Sequence, residues 1–259
     1  MDLGIAGKKA IICASSRGLG RGVAQALAEA GCDIVINGLD ETRLQQTAEA
    51  ITSSTRARVT AIAADVSTIE GQAKLLAACP QPDILINNNG GPPRRDFREL
   101  DRENIIDGVI QNMVTPIELT KAVIDGMANR KFGRIINVTS MSVKTPISGL
   151  DLSSGARAGL TAFMAGVCRE FAHNNVTVNH VLPGKMDTDR LRGGLERTAK
   201  TTGASIADVR AEQTAEIPAK RFGQAEEFGQ LCAFLASAHT GYITGQNFLI
   251  DGGLFASAF

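Results

Sequence analysis

Short runs of consecutive apolar residues alternate along this chain with longer segments of mixed polarity. The first run covers residues 10–13, and in the segment after it Leu19, Val23 and Leu27 recur at every fourth position up to Gly31. An unbroken apolar run is typical of a strand buried on both faces of a parallel sheet, and a four-residue period is typical of a helix. The pattern therefore predicts a strand followed by a helix that ends near Gly31.

The same alternation continues along the rest of the chain. The further predicted strands cover residues 33–36, 59–63, 84–86, 134–138, 176–181 and 248–250, and a helix follows Leu160 to about His173. Strands separated by segments long enough for crossover helices indicate a parallel sheet with helices on both faces. We predict a Rossmann-type doubly wound α/β fold in a single domain, residues 1–259, because no linker or repeat divides the chain and its 44% of hydrophobic residues can fill one large core.

Composition narrows the expected partners. The 27 Lys and Arg residues balance the 27 Asp and Glu residues, so no global field attracts nucleic acid or an anionic membrane, and a small-molecule partner is expected. The first residues lack the features of a signal peptide, and no apolar stretch approaches the ~20 residues that span a bilayer, which predicts a cytoplasmic protein. The cysteines lack a C-x-x-C pair, which favours buried thiols over a metal site or disulfides. They are Cys13, Cys32, Cys79, Cys168 and Cys232.

The loop between the first strand and the first helix, residues 14–20, has the sequence Ala-Ser-Ser-Arg-Gly-Leu-Gly. A strand that turns sharply into a helix presents unpaired N–H groups and the positive end of the helix dipole, which favour a phosphate group. Gly18 and Gly20 would let the backbone approach that group closely, and Ala14 is compatible with such a loop if its φ angle is negative. The loop therefore predicts a site for the pyrophosphate of a dinucleotide, with a turn that holds no ligand as the alternative.

Several further segments follow this loop in a fixed order. They are Asp65-Val66 after the third strand, Asn87-Asn-Asn-Gly90 after the fourth, Asn112 in the next helix, Ser140 after the fifth strand, Pro183-Gly184 with Thr188, and Thr244-Gly-Gln246 before Asp251-Gly-Gly253. Together with the glycine loop, this series resembles the short-chain dehydrogenase/reductase family, in the manner of a divergent 3-oxoacyl-acyl-carrier-protein reductase. The resemblance implies a nicotinamide cofactor and a carbonyl or alcohol substrate.

The resemblance also implies which residues hold the cofactor. They are Ala14, Ser16, Arg17, Gly18, Leu19 and Gly20 in the loop, Asp65 and Val66 beside the adenine, Asn87 and Gly90 around the adenosine ribose, Arg157 at the nicotinamide ribose, and Pro183 and Gly184 with Thr188, which meets the carboxamide. Two of these residues have structural alternatives, because Asp65 could simply cap a turn and Asn87 could bridge neighbouring strands.

The end of the second strand bears on which dinucleotide is bound. Relatives that prefer NAD carry an acidic residue there, and Asn37-Gly38-Leu39 offers none. Arg17 matches a basic position that, in the resembling family, contacts the 2′-phosphate of NADP. Asp40 lies just beyond the usual acidic position and could pair with Arg17 or face solvent. We therefore expect NADP(H) to be preferred, with NAD(H) possible.

The catalytic pattern of the family is incomplete in this chain. The family uses Asn, Ser, Tyr and Lys; Asn112 and Ser140 match, but Ser153 stands in place of the tyrosine and Arg157 in place of the lysine. The only tyrosine, Tyr242, falls in the turn before the last strand. An aliphatic hydroxyl is a far weaker acid than a phenol, whose reference pKa is about 10, whereas arginine keeps a fixed charge and can still bind the ribose.

Three interpretations stay open. In the first, the protein is an oxidoreductase whose proton comes from Lys144, or from a water held by Ser153, Ser154 and Asn112. In the second, it binds a dinucleotide without turnover, as a sensor or a partner subunit. In the third, it is similar to halohydrin dehalogenases, which also use arginine in place of lysine but lose the dinucleotide loop; the intact glycines of the loop count against this.

Residues 187–218 are charged and threonine-rich and lie between a strand and the last helix, where a lid over the pocket is expected. Arg190, Arg192 and Arg197 within it could meet an acidic substrate or form an ordinary solvated face. Residues 89–93, Asn-Gly-Gly-Pro-Pro, would form a stiff wall opposite the nicotinamide. The resemblance further implies a homodimer or homotetramer assembled through the long fourth and fifth helices and the C-terminal strand region.

Overall fold

A seven-stranded sheet forms the centre of the computed structural model, which describes residues 1–257. Its strands are β1 (Lys9–Ile12), β2 (Asp33–Gly38), β3 (Val59–Ala63), β4 (Ile84–Asn87), β5 (Gly133–Val138), β6 (Val176–Pro183) and β7 (Asn247–Ile250). All neighbouring strands are parallel, in the order β3-β2-β1-β4-β5-β6-β7. The predicted doubly wound α/β sheet and its strands are confirmed.

The helices are α1 (Gly18–Glu29), α2 (Glu41–Ser54), α3 (Ile69–Ala78), α4 (Arg102–Val109), α5 (Thr115–Asn129), α6 (Asp151–Phe171), α7 (Asp189–Thr202), α8 (Ile206–Ala215) and α9 (Ala225–Leu235). Helix α1 ends as predicted, just before Gly31, whose φ is +83°. The helix predicted after Leu160 begins earlier, at Asp151. Its first turns bury the polar residues Ser153 and Arg157, so apolar periodicity does not mark them.

Alternation along the strands divides the core between the two faces of the sheet. In β1, Ala10 and Ile12 pack into one apolar cluster with residues of α1, α2 and α9, whereas Ile11 packs into a second cluster with residues of α3, α5 and α6. Helices α1 and α9 are in near backbone contact, because a Cβ on Gly229 would lie 2.2 Å from the carbonyl oxygen of Gly22. This contact fixes the helix that follows the glycine loop.

The polar sequence features end up in distinct places. All five cysteines are buried and free, as predicted. The segment between β6 and α9 forms two helices, α7 and α8, around a small apolar cluster of their own. Among the described residues, no helix is both long and apolar enough to cross a membrane.

Candidate active site

The strand order reverses at β1, which has β2 on one side and β4 on the other. In an open parallel sheet, such a reversal leaves a crevice at the carboxyl ends of the strands, where ligands bind. The loops after β1, β4, β5 and β6 all leave the sheet at this edge. They carry the glycine loop, residues 88–93, Ser140 and the segment with Gly184 and Thr188, so the fold gathers the predicted site around one crevice.

The glycine loop leads into an uncapped helix N-terminus. Arg17 is the N-cap of α1, but its side chain makes no capping hydrogen bond, and the first turn contains no acidic residue. Gly18 has a φ of +56°, and a Cβ on Gly20 would lie only 2.3 Å from the Ala14 carbonyl oxygen. The free N–H groups and the tight, side-chain-free backbone suit an anionic group such as a pyrophosphate.

Ala14 departs from expectation, because its φ is +46° rather than negative. Two asparagines hold it in this left-handed conformation. Asn37 Oδ1 accepts a hydrogen bond from Ala14 N at 3.3 Å, and Asn88 Nδ2 donates to Ala14 O at 3.1 Å. A left-handed alanine costs about 1–2 kcal/mol, so these contacts maintain a strained loop at the point where the cofactor is expected.

Asn37 is a site-positioning residue that the sequence did not identify. Its buried amide donates to the carbonyl oxygens of Ile62 and Ala64 at 3.0 and 2.9 Å, while its backbone carbonyl accepts from Ser15 N at 2.7 Å. One side chain thus ties the glycine loop to β2 and β3. Its signal in the sequence is an amide near the end of an otherwise apolar strand.

An arginine-rich pocket lies beside the glycine loop, at the end of β2. It is lined by Ser16, Arg17, Arg21, Arg43, Gln46, Thr47 and Asp189. Only Arg17 and Ser16 were predicted here; Arg21, one helical turn after Arg17, and Arg43, in the first turn of α2, were missed. The single acid of this pocket, Asp189, comes from α7 and lies 3.4 Å from Arg17 Nη1. We call this group the arginine pocket.

Asp40 does not pair with Arg17. Its carboxylate instead caps α2, accepting from Arg43 N at 3.0 Å, and lies 3.9 Å from Arg43 Nε. This capping role explains an acid just beyond the position that NAD-preferring relatives use. At Gly38 a Cβ would lie 2.9 Å from Ser16 Oγ, so a larger residue there would have to displace Ser16.

The residues predicted beside the adenosine have structural partners. Asp65 caps its own turn, accepting from Ser67 N at 2.9 Å and Ser67 Oγ at 2.6 Å. Asn87 Nδ2 donates to Asn137 Oδ1 at 2.8 Å and so bridges β4 and β5. Val66 is buried, and Gly90 faces open space. The predicted cofactor contacts of these residues stay predictions.

Around the predicted nicotinamide end, Ser140 follows β5 and its Oγ accepts from Ser142 N at 3.1 Å. Asn112 is buried in a π-helical turn, Ile110–Val114, between α4 and α5. Within the described residues, Asn112 Oδ1 and Thr115 Oγ have no hydrogen-bond partner, and both residues line a small cavity with Arg157. Unpaired buried oxygens of this kind suit an ordered water.

Arg157 fills the position of the family's lysine as a buried cation. Its Nη1 donates to Val138 O at 2.6 Å and its Nε donates to Ser153 Oγ at 3.2 Å. Burial, reinforced by the charge of Arg190, lowers the pKa of Arg157 to about 10, so the guanidinium remains charged at neutral pH. Across residues 1–257, no carboxylate lies within ion-pair distance of it.

The other hydroxyl and amine candidates differ in their surroundings. Ser153 Oγ accepts from Arg157, and its own proton has no acceptor in the described part of the chain. Ser154 Oγ instead donates to Leu150 O of its own helix at 2.8 Å. Lys144 is exposed, with Nζ 5.4 Å from the ring centroid of Phe255. Tyr242 lies fully exposed in the turn before β7, as predicted.

Helix α7 begins across the mouth of the crevice. Thr188 is its N-cap, Asp189 contacts Arg17 on one side, and on the other Arg190 donates to the carbonyl oxygens of Gly91 and Pro92 at 3.2 and 3.3 Å. The start of α7 thus joins the loops after β1 and β4. This placement is compatible with the predicted lid, although movement of the segment stays a prediction.

The base of α7 is anchored by Asp187, whose carboxylate pairs with two lid arginines. Arg210 Nη2 lies at 2.7 Å and Arg192 Nε at 3.0 Å. The hydrogen bond from Arg210, followed by that from Arg192, lowers the pKa of Asp187 despite its burial. Arg192 therefore helps to anchor α7 to Asp187.

This crevice lies where the strand order of a parallel sheet reverses, and it contains a glycine loop that leads into an uncapped helix N-terminus. These features are typical of a dinucleotide-binding α/β protein. Comparison with known proteins agrees. A family profile described as enoyl-(acyl carrier protein) reductase matches residues 13–255. The chain is 31% identical to the 3-oxoacyl-[acyl-carrier-protein] reductase of Vibrio harveyi over 255 residues, covering 98% of this chain and 99% of that protein.

Two further similar proteins are an NADPH-dependent enzyme and an enzyme solved in complex with NADPH. An NADPH-dependent reductase of Bacillus subtilis is 31% identical over 255 residues, covering 96% of this chain and 98% of its own. The crystal structure of L-sorbose reductase from Gluconobacter frateurii, complexed with NADPH and L-sorbose, superposes with a TM-score of 0.94 at 27% identity, covering 99% of this chain and 100% of that one. The chain belongs to the short-chain dehydrogenase/reductase family of NAD(P)-dependent oxidoreductases.

Proposed function

We propose that this protein is an NADP(H)-dependent oxidoreductase that interconverts a carbonyl and an alcohol, using a proton donor other than tyrosine. The observation that carries the proposal is the arginine pocket. It places Arg17, Arg21 and Arg43 beside an uncapped helix N-terminus, with one acid among its lining residues. Arginine matches a phosphate group with paired, charge-assisted hydrogen bonds, so this pocket suits the 2′-phosphate that distinguishes NADP from NAD.

The nicotinamide ring of a cofactor held in this crevice would supply a hydride to the substrate carbon, or accept one from it. Ser140 would donate a hydrogen bond to the substrate oxygen, as the family resemblance implies. Arg157 keeps its charge, and it would hold the ribose through the N–H groups that its bonds to Val138 and Ser153 leave free. These contacts would orient the substrate and stabilise charge that develops on its oxygen.

For the proton, we favour a water held at Ser153 over Lys144. Ser153 accepts from a charged guanidinium and keeps its own proton free, which lets it donate to a water or to the substrate oxygen. The nearby unpaired oxygens of Asn112 and Thr115 offer further places for ordered water. Lys144 is exposed and lies over the Phe255 ring, and Ser154 is bonded to its own helix.

The experiment combines binding with turnover. The purified protein is titrated with NADPH by calorimetry, then incubated with NADPH and a panel of ketones, oxo acids and 3-oxoacyl thioesters while the absorbance of the reduced nicotinamide is followed. We expect binding and oxidation with at least one substrate. Tight binding without oxidation across the panel would favour the alternative, a dinucleotide-binding sensor or partner subunit. The observation that supports this alternative is the missing tyrosine.

The remaining parts of the proposal concern assembly and location. Exposed apolar side chains on α4 and α6, namely Ile105, Ile106 and Phe163, support the homodimer or homotetramer that the family resemblance implies. Sedimentation of the purified protein would measure its oligomeric state. We keep the cytoplasm as the proposed location.

A further inference from the structure

The first turn of α7 holds a guanidinium that pairs with no carboxylate of residues 1–257. Arg190 Nη1 and Nη2 donate to the carbonyl oxygens of Gly91 and Pro92, which are neutral acceptors. The contact is close, since a Cβ on Gly91 would lie 2.9 Å from both nitrogens. Carbonyl groups fix the position of the guanidinium but leave its charge available.

Three neighbouring arginines differ in this respect. Arg192 and Arg210 share the two oxygens of Asp187, and Arg17 is paired with Asp189. Among the described residues, no carboxylate lies within 4 Å of Arg190 or of Arg157. Asp187 and Asp189, at the start of α7, are therefore already paired, whereas Arg190 and Arg157 have no such partner among the described residues.

Arg190 also acts on Arg157. The charge of Arg190 contributes to the lowered pKa of Arg157, after burial, and the pKa of Arg190 is itself lowered by partial burial and then by the charge of Arg197. Like charges that no carboxylate offsets repel one another, and an anion bound at Arg190 would relieve part of that repulsion. The pair is thus arranged to gain from binding a negative group.

We infer that Arg190, supported by the charge of Arg157, binds a carboxylate of the substrate, which makes the substrate an oxo acid or hydroxy acid rather than a neutral ketone or alcohol. The inference rests on the proposed function for the reaction itself. The two terminal nitrogens of Arg190 already contact two oxygens at similar distances, 3.2 and 3.3 Å, and a carboxylate offers two oxygens to the same fork. The carboxylate would replace the wall carbonyls or share the guanidinium with them.

The test compares matched substrates and matched variants. NADPH oxidation is followed with a series of oxo acids and their methyl esters, for the wild type, Arg190→Gln and Lys200→Gln. Lys200 lies exposed near the end of the same helix, so its variant removes the same charge away from the crevice. We expect acids to have lower KM values than their esters, and Arg190→Gln to raise the KM of the acids about tenfold or more while leaving the esters and the NADPH affinity unchanged.

A second readout does not require turnover. Malonate is titrated by calorimetry into the cofactor-free wild type and both variants; we expect binding that Arg190→Gln weakens about tenfold and Lys200→Gln leaves unchanged. This titration decides the inference if the proposed reaction fails. The inference is overturned if malonate binding is absent or indifferent to Arg190. It is also overturned if Arg190→Gln weakens NADPH and affects acids and esters equally, because Arg190 would then serve a cofactor phosphate.

Discussion

Arginine serves opposite purposes at the two ends of the crevice. At the adenosine end, Arg17 and Arg43 keep 60% and 45% of their side-chain surface exposed and line an open pocket. At the reaction end, Arg157 is buried and bonded to Val138 and Ser153. An exposed guanidinium is free to move onto a ligand, whereas the buried Arg157 is held by its protein contacts and offers its charge at one fixed place. Gly18 and Gly20 of the family pattern are kept where the cofactor is proposed to bind, whereas Ser153 and Arg157 replace tyrosine and lysine where the proton is proposed to be delivered.

The largest expected effect concerns the reaction end. Removing the hydroxyl in Ser153→Ala should lower kcat by about 10²-fold, the contribution of a positioned proton donor, with little change in NADPH affinity. Ser154→Ala is the matched control, since its hydroxyl bonds only its own helix, and it should retain near wild-type turnover. Steady-state kinetics with calorimetry measures both. A large loss of turnover in Lys144→Ala, with normal turnover in Ser153→Ala, would show that Lys144 and not Ser153 delivers the proton.

The next effect belongs to the adenosine end alone. Replacing both Arg17 and Arg43 by alanine should weaken the binding of adenosine 2′,5′-bisphosphate by about 10²-fold, because two charge-assisted contacts are lost. The affinity for 5′-AMP should stay nearly unchanged. Arg56→Ala, an exposed arginine outside the pocket, is the control. Calorimetric titration compares the two nucleotides. Equal losses for both would mean that the arginines serve general attraction instead of recognising the 2′-phosphate.

A smaller effect should appear where the lid meets the adenosine end. Asp189 occupies Arg17, and a 2′-phosphate would have to compete for the same guanidinium. Asp189→Asn removes the competing charge and should strengthen NADPH binding by up to about fivefold, the scale of an exposed ion pair. The affinity for NADH should stay constant, and a matching gain for NADH would argue against direct competition.

The smallest effect concerns the strain in the glycine loop. Ala14→Gly should stabilise the protein by about 1 kcal/mol, because glycine adopts a φ of +46° without the penalty that alanine pays. The greater freedom of glycine in the unfolded chain offsets part of the gain. Urea denaturation of the wild type and the variant measures the difference. A clear loss of stability would show that the methyl group of Ala14 contributes contacts worth more than its strain.

The two ends also differ in how far the sequence predicts them. Strands and the glycine loop follow from local patterns, so their positions were confirmed. Asn37, Arg21 and Arg43 were missed because their roles depend on where β2 and α2 lie against the loop, which is set by tertiary packing. The positive φ of Ala14 could not be predicted for the same reason, since its backbone is held by Asn37, in β2, and by Asn88, just after β4. The Ser153–Arg157 contact depends on the first turns of α6, which begin at Asp151 and bury polar residues that apolar periodicity does not mark.

The central claim is that the crevice is built for the phosphorylated dinucleotide although its catalytic tyrosine is absent. Parallel calorimetric titrations of the wild-type protein with NADPH and NADH test this claim most directly. The arginine pocket predicts that NADPH binds at least about tenfold more tightly, the value of one charge-assisted contact. Equal affinities, tighter binding of NADH, or no binding of either dinucleotide would contradict it.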